Sequence, residues 1–244
     1  MENLTVVRGN SGCGTTTFAA ALAAHLSRAG IHTLLISSDT HIPAFGLWLP
    51  NMPPAENDKS AKSLGEALSV LRLDKNRLAQ FTYIYRKNLC LLGYLAKEAS
   101  DKYNPVDYEH AEAFLACACE VAERHGRVIV DATHYEDAVS NAAIQNAAVQ
   151  IRLIEPDPRG MGLLKSLPPE KFQGKTLWFS CARSLDDPFE DFAKGRKIKF
   201  AGDIPLLEEA HEKLVRGELF TAYGNRQYAE AVECAALAVR EGIA

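Results

Sequence analysis

Short apolar runs alternate along the chain with segments whose apolar residues recur at helical spacing. The first run, Leu4 to Arg8, is rich in β-branched residues and predicts a strand, and Thr17 to Ala29 predicts a helix that ends at Gly30. Further strands are predicted at Thr33–Ser37, Asn88–Leu92, Arg127–Asp131, Gln150–Ile154, Thr176–Ser180 and Lys197–Phe200. Further helices are predicted at Ala61–Leu71, Asp74–Arg86, Tyr108–His125, Pro158–Ser166, Phe189–Lys194, Leu206–Arg216 and Arg226–Arg240.

This alternation of strands with helical crossovers predicts an α/β fold. Strands joined by helices run parallel and form a sheet that is covered on both faces. The Pro-rich stretch from Ile42 to Pro54 is predicted to be an extended loop, and the sequence shows no repeat, low-complexity tract or linker. We therefore expect residues 1–244 to form a single doubly wound domain with a mostly parallel sheet.

Composition narrows the classes of protein that fit this pattern. The chain has 47% hydrophobic residues, enough for a full core, and its formal net charge of −4 gives no overall attraction to DNA or anionic lipid. No apolar run approaches the roughly 18 residues of a membrane span, and Met1-Glu2-Asn3 leads directly into a strand. The six cysteines are scattered and include no C-x-x-C pair. We expect a cytoplasmic protein that does not insert into a membrane.

A glycine-rich loop lies between the first predicted strand and the first predicted helix. It fits the phosphate-loop pattern G-x-x-x-x-G-K-[ST] at every fixed position except the lysine, where Thr15 stands. Small residues let successive backbone N–H groups surround an anion at the start of a helix, so phosphate can bind through the backbone alone. A glycine turn that only connects strand to helix is the alternative interpretation. The candidate phosphate-binding residues are Gly9, Asn10, Ser11, Gly12, Cys13, Gly14, Thr15, Thr16 and Thr17.

The loop resembles that of the ParA/MinD family of P-loop ATPases, the deviant Walker A group that includes CpaE/TadZ-like localisation proteins. Family members read K-G-G-x-G-K-[ST]-[ST], and this chain has Asn10 and Thr15 in place of the two lysines. The resemblance implies ATP or ADP with Mg²⁺ as ligand, with Thr16 as a direct metal ligand. It also implies a homodimer in which the first lysine reaches the partner's nucleotide. Without either lysine, we expect a weak ATPase at most.

Two strand-end acids extend the resemblance. Leu34 to Asp39 resembles the family's strand ending in D-x-D, which implies that Asp39 positions the attacking water; a turn or helix-capping aspartate is the alternative. Asp131 ends an apolar strand as in a Walker B segment, which implies that it holds Mg²⁺ through water. The next residues lack the family's Pro-containing switch. There, His134 is interpreted either as a phosphate-contacting residue or general base, or as a loop histidine without a mechanistic role, and we favour the latter.

The segment around Ile204-Pro205 resembles the family's last strand and its Ile-Pro turn. The family uses this turn and a strand-end Asn to hold adenine, which implies that Pro205 and Ser180 contact the base. Ser180 stands where the family has that Asn, and a hydroxyl makes fewer of the paired hydrogen bonds that an adenine edge requires. We therefore expect weak base selectivity.

Four basic residues fall within six positions near the predicted strand at Lys197 to Phe200. They could contact nucleic-acid phosphates, although a solvated strand start is the favoured interpretation. The final helix lacks the basic face and large apolar residues of a membrane-surface helix. The basic residues are Lys194, Arg196, Lys197 and Lys199.

These features together predict a localisation or assembly factor, similar to the CpaE/TadZ-like branch, that works through protein partners with or without nucleotide. The main alternative is an active P-loop ATPase or small-molecule kinase in which Arg8 or Arg183 replaces the missing lysine. A partition-type DNA-binding ATPase is a further alternative. The sequence identifies neither the partner nor the cellular process.

Overall fold

The computed structural model describes most of the strands and helices that surround the loop. The described residues are 1–10, 12–39, 63–70, 72–95, 106–122, 125–132, 137–166, 175–181, 194, 198–205, 207, 212, 216 and 224–241. The strands are β1 (Leu4–Gly9), β2 (Thr33–Ser37), β3 (Tyr83–Arg86), β4 (Leu89–Gly93), β5 (Arg127–Asp131), β6 (Val149–Ile154), β7 (Lys175–Ser180) and β8 (Phe200–Asp203). The helices are α1 (Thr15–Arg28), α2 (Leu64–Leu68), α3 (Lys75–Phe81), α4 (Tyr108–Val121), α5 (Ala138–Asn146), α6 (Pro158–Ser166) and α7 (Arg226–Glu241).

The described strands form one eight-stranded sheet in the order β3-β4-β2-β5-β1-β6-β7-β8. Only β3 runs antiparallel to its neighbour, β4, and it lies at one edge. The central strand β1 pairs with β5 on one side and with β6 on the other. This arrangement confirms the predicted doubly wound, mostly parallel α/β fold, and it brings the carboxyl ends of seven strands to one edge of the sheet.

Apolar side chains cover both faces of the sheet. One face packs against α1 and α7, where the ring of Phe18 lies 5.4 Å from that of Phe179 and 6.0 Å from that of Tyr228, measured between centroids. The other face packs against α2 to α5 around buried residues such as Phe114 and Leu115. Because Phe18 is fully buried one turn into α1, its packing fixes the start of that helix against the sheet.

The helix predicted over Asp74–Arg86 is wrong in its second half. Asp74 caps α3 by accepting hydrogen bonds from the N–H groups of Asn76 and Arg77, but the helix ends at Phe81 and residues 83–86 form β3. The aromatic and β-branched run there favours a strand. Ile84 is 81% exposed while Tyr83 and Tyr85 pack on the core, which is the alternation of a strand. In so short an apolar run, residue spacing alone does not distinguish a strand from a helix.

Other boundaries also differ from the predictions. The last strand, β8, begins three residues later than predicted, because its backbone pairs with Trp178 to Ser180 from Phe200 onward. Helix α5 was not predicted, since its buried positions are mostly small. Helix α4 ends at Val121, before His125, and α2 is shorter than its predicted range. The predicted loop over 42–54 and most residues of the helices predicted at 189–194 and 206–216 lie outside the described residues.

None of the helices in the described part of the chain combines the length and apolar character needed to cross a membrane.

Candidate functional site

The loop between β1 and α1 has the backbone geometry of an anion-binding turn. Gly12 and Gly14 have φ angles of 85° and 83°, a left-handed conformation that favours glycine. The N–H of Cys13 donates to the carbonyl of Asn10, which closes a tight turn before α1 begins at Thr15. Among the described residues, no side chain caps the start of α1. Its first N–H groups therefore suit an anion, which also gains from the positive end of the helix dipole.

The first glycine of the loop, Gly9, allows the loop to lie directly on β6. A Cβ at Gly9 would overlap the Sγ of Cys13 and lie 2.5 Å from the carbonyl oxygen of Leu153. The Cys13 thiol fills this space, 3.2 Å from the hydroxyl of Thr15 and 3.6 Å from the Leu153 carbonyl. The packing of the Cys13 thiol against the Leu153 carbonyl therefore shapes the loop together with its glycines.

Asn10, which replaces the family's first lysine, contacts its own chain. Its side-chain oxygen accepts a hydrogen bond from the backbone N–H of Glu155, just after β6, at 3.0 Å. Its side-chain nitrogen is buried without a hydrogen-bond partner among the described residues. The contact ties the loop to the neighbouring strand end. Ser11 lies outside the described residues.

Thr15 occupies the position of the second lysine at the first turn of α1, and its hydroxyl lies beside the Cys13 thiol. Of the two arginines considered as substitutes, Arg8 belongs to β1, next to Gly9. Strand alternation places Arg8 with Leu4 and Val6 on the face covered by α4 and α5, opposite α1. Arg183 lies outside the described residues.

Asp131 lies at the end of β5, beside the start of α1. Its side chain is 3% exposed and accepts hydrogen bonds from the hydroxyls of Thr16 and Ser37, the latter at 3.5 Å. Burial, with a smaller contribution from the negative charge of Asp39, raises the pKa of Asp131 to about 7, although the two hydrogen bonds oppose this rise. The carboxyl and hydroxyl are hard oxygen donors that fit Mg²⁺.

A second polar cluster follows β2. Ser38 donates from its backbone N–H to the Asp131 carbonyl, and its hydroxyl lies 2.8 Å from that of Ser140. Asp137 caps α5 by accepting a hydrogen bond from the N–H of Ser140, and burial raises the pKa of Asp137. The charge of Asp39 contributes to this rise as it does at Asp131, so Asp39 lies near both carboxyl groups. Asp137 was missed from the sequence because helix α5 was missed.

The described residues hold no group of three or more His, Cys, Asp or Glu side chains that could bind a metal. The contacting oxygens of Thr16 and Asp131 suit Mg²⁺, because Mg²⁺ keeps several waters and takes further ligands from substrate phosphates. The remaining loop candidate, Thr17, is half-buried in α1, and His134 lies outside the described residues.

Asp131→Asn is expected to stabilise the ligand-free protein above pH 7 by on the order of 4 kcal/mol. The unfolded carboxyl loses its proton near its ordinary pKa, whereas the folded one keeps it to about pH 7. The contribution of Asp131 to the free energy of unfolding therefore falls as the pH rises across this window. Urea unfolding at pH 5 and pH 8 measures the difference. Asp107→Asn, at the exposed cap of α4, is the matched control. If the free energy of unfolding of Asp131→Asn changes between pH 5 and pH 8 as much as that of the wild type, the raised pKa of Asp131 is contradicted.

The two residues predicted to contact the base lie at neighbouring strand ends. Ser180 ends β7, and its backbone carbonyl accepts a hydrogen bond from the N–H of Ile204 at 2.7 Å. Pro205 follows β8. β7 is two strands from β1, or about 10 Å at ordinary strand spacing. Ser180, Pro205 and the loop thus share the carboxyl edge of the sheet. Of the basic run, Lys194 and Lys199 are exposed, and Arg196 and Lys197 lie outside the described residues.

Comparisons with known proteins identify a family whose model matches the chain and solved structures with a similar fold. The family model of the cellulose biosynthesis protein BcsQ matches residues 1–175. A ParA family ATPase from Chlorobium tepidum TLS is 18% identical, with a TM-score of 0.73, and the match covers 96% of this chain and 97% of that one. MinD from Pyrococcus horikoshii OT3, solved with Mg-ADP, is 18% identical with a TM-score of 0.69, covering 95% and 93%.

A third solved structure is the MinC:MinD cell division protein complex of Aquifex aeolicus. It is 16% identical with a TM-score of 0.66, and the match covers 96% of this chain and 93% of that one. No curated protein matches the chain. The structural matches support the ParA/MinD type of P-loop fold that the loop and strand-end residues resemble.

Proposed function

Because the chain belongs to the BcsQ family of cellulose biosynthesis proteins, which shares the ParA/MinD P-loop fold, we propose that it is a localisation or assembly factor for cellulose synthesis. In this proposal the protein binds ATP or ADP with Mg²⁺ weakly, turns ATP over slowly at most, and acts through protein partners. The predicted localisation role is thereby linked to cellulose synthesis, the process after which the family is named. The CpaE/TadZ-like placement stays a prediction.

The observation that supports the proposal is a glycine loop next to the contacting hydroxyl of Thr16 and carboxyl of Asp131, with Thr15 where the phosphate-loop pattern has lysine. Thr16 already contacts Asp131, and Gly12 and Gly14 have the left-handed backbone conformation of a tight turn. In a nucleotide complex, Thr16 would bind Mg²⁺ directly and Asp131 would act through water. The metal would neutralise part of the phosphate charge. The loop amides would hold the phosphates, and Ser180 and Pro205 would flank the base.

The missing lysine is expected to lower the rate of ATP turnover more than it lowers the affinity for ATP. Backbone amides hold a phosphate in the ground state, but a mobile ammonium follows the charge that develops during transfer. Thr15 cannot supply that charge, and Arg8 belongs to the opposite sheet face. Asp39 remains the candidate that orients water. A site of this kind can report nucleotide occupancy to a partner without consuming ATP quickly.

The proposed role of protein partners is supported by a solved complex of the same fold type and by the contact that Asn10 makes within its own chain. MinD was solved in complex with MinC, so this fold type does present surfaces to a dedicated protein partner. Because Asn10 bonds to Glu155 of its own chain, we do not expect it to reach the nucleotide of a second subunit. If a homodimer forms, other contacts hold it together.

Gene replacement in the source organism tests the proposal. Deletion is expected to lower cellulose output several-fold, and a fluorescent fusion of the wild type is expected to restore output and form discrete foci. Asp131→Asn should disperse the foci if nucleotide occupancy controls localisation, whereas Asp107→Asn should retain them. Normal cellulose output after deletion, in cells confirmed to produce cellulose, contradicts the proposed role.

A further inference from the structure

Two cysteines that are far apart in the sequence meet beneath the phosphate loop. Cys13 lies within the loop, and Cys181 directly follows β7, 168 positions later in the chain. The Cys181 thiol donates to the backbone carbonyl of Cys13 at 3.1 Å, and the two thiols also contact each other. Both cysteines are free thiols in this structure.

The end of β6 holds both cysteines in place. The Cys13 thiol lies 3.6 Å from the carbonyl of Leu153, and the backbone N–H of Cys181 donates to the next carbonyl, that of Ile154, at 2.8 Å. The pair is thus fixed by two successive backbone carbonyls of β6 and does not depend on flexible surface side chains. Such a preset pair loses little conformational freedom when its sulfurs become bonded.

The thiols also differ in acidity. Contact with Cys181, helped by hydrogen bonds with Thr15, lowers the pKa of Cys13 despite its burial. Contact with Cys13, together with burial, raises the pKa of Cys181. Cys13 is therefore the thiol that ionises first, next to the start of α1, where the helix dipole favours an anion. Cys181, which is half-buried, is the more exposed of the two.

We propose that Cys13 and Cys181 form a reversible disulfide site, oxidised by a small peroxide, that cross-links the phosphate loop to the end of β7. This role goes beyond the proposed function and does not depend on nucleotide binding. Persistent disulfides are rare in reduced compartments, and those that do form there are usually transient and redox-sensing. A small oxidant suits Cys13, which is only 7% exposed.

The chemistry requires two steps. The Cys13 thiolate attacks hydrogen peroxide, the O–O bond breaks, and Cys13 sulfenic acid and hydroxide form. The Cys181 sulfur then attacks the sulfenic sulfur, the S–S bond forms, and the sulfenic oxygen leaves as water with the Cys181 proton. Two cysteines are oxidised and one peroxide is reduced. A dithiol reductant reverses the reaction by thiol–disulfide exchange.

Bond formation would change the loop itself. The Cys181 sulfur would leave the Cys13 carbonyl, and the Cys13 sulfur would lose its contact with the Thr15 hydroxyl. The loop would then be tied covalently to the strand that ends at Ser180, which is predicted to lie beside the base. Oxidation would thus fix the distance between the phosphate and base ends of the candidate site.

Peroxide treatment of the full wild-type chain tests the site. After blocking of remaining thiols with an alkylating agent and proteolysis, mass spectrometry should show a peptide pair joined through Cys13 and Cys181. The pair should be lighter than the two free peptides by about 2 Da and should separate with dithiothreitol. The melting temperature of the oxidised protein should rise by several degrees, because the cross-link closes a long loop.

Two variants show whether the cross-link is specific to this cysteine pair. Cys181→Ser should abolish the cross-link and leave Cys13 as a sulfenic acid or a higher oxide, while Cys234→Ser, at a half-buried thiol on α7, should retain the cross-link. The proposal is overturned if both thiols are alkylated after peroxide treatment of folded protein, or if Cys13 pairs with another cysteine. Because the readout is a covalent mass, failure of nucleotide binding leaves the result interpretable.

Discussion

Gly9→Ala is expected to abolish detectable Mg²⁺-ATP binding and to lower the free energy of unfolding by about 1–3 kcal/mol, the usual cost of overpacking. The added methyl would overlap the Cys13 sulfur and lie 2.5 Å from the Leu153 carbonyl oxygen. The sulfur can rotate, but the carbonyl belongs to the central sheet and cannot. The loop must therefore lift away from β6, which disrupts the phosphate-binding turn. Urea unfolding and calorimetric titration with Mg²⁺-ATP measure the two effects.

Gly162→Ala is the matched control for this substitution. Gly162 lies in α6 and is exposed, and a Cβ there meets no atom within 4 Å. It should keep wild-type nucleotide affinity and gain slightly in stability, because alanine favours helix. If Gly9→Ala binds nucleotide as the wild type does, the loop is not the phosphate site.

Thr15→Lys is expected to raise ATP affinity about tenfold or more, since a charge-assisted hydrogen bond contributes roughly 1.5–3 kcal/mol. Turnover should rise further, by roughly a hundredfold to a thousandfold, because a main charge stabiliser contributes about 3–4 kcal/mol in the transition state. The wild type itself should remain below about 1 per second, the lower end of ordinary enzymes. Binding by calorimetry and steady-state phosphate release measure these values.

Two controls separate charge from size and from general electrostatics. Thr15→Met adds a chain of similar length without charge, and Ala29→Lys adds the same charge at the exposed far end of α1. Neither should raise affinity. Unchanged affinity in Thr15→Lys would show that the loop does not present its amides to a phosphate. A wild type that hydrolyses ATP at about 1 per second or faster would contradict slow turnover directly.

The elements that position the site were predictable because their signals are local. β1, the glycine loop and α1 follow one another between residues 4 and 28. Asp131 is an acid at the end of the apolar strand β5. Parallel pairing then brings strand ends together, since Ser37 and Asp131 are register partners in β2 and β5. The fold class and the candidate loop therefore follow from spacing and residue type.

The features that the sequence did not predict depend on contacts between distant residues. The bond between Asn10 and the Glu155 N–H and the meeting of Cys13 with Cys181 arise only once β6 lies beside β1 and β7. Helix α5 was missed because small buried residues give a weak apolar pattern, and Asp137 was missed with it. The edge strand β3 was assigned to a helix because its aromatic residues follow a well-capped helix directly.

Calorimetric titration of the full wild-type chain with ATP, with and without Mg²⁺, tests the central claim most directly. The account predicts weak binding, with a dissociation constant at or above roughly 10⁻⁵ M, that weakens at least about tenfold without Mg²⁺. Asp131→Asn should lose the Mg²⁺ dependence while remaining folded, because Asp131 holds the metal through water. Equal affinity with and without Mg²⁺ in the wild type, or no binding at millimolar ATP, would contradict a phosphate and metal site formed by the Gly9 to Thr16 loop and Asp131.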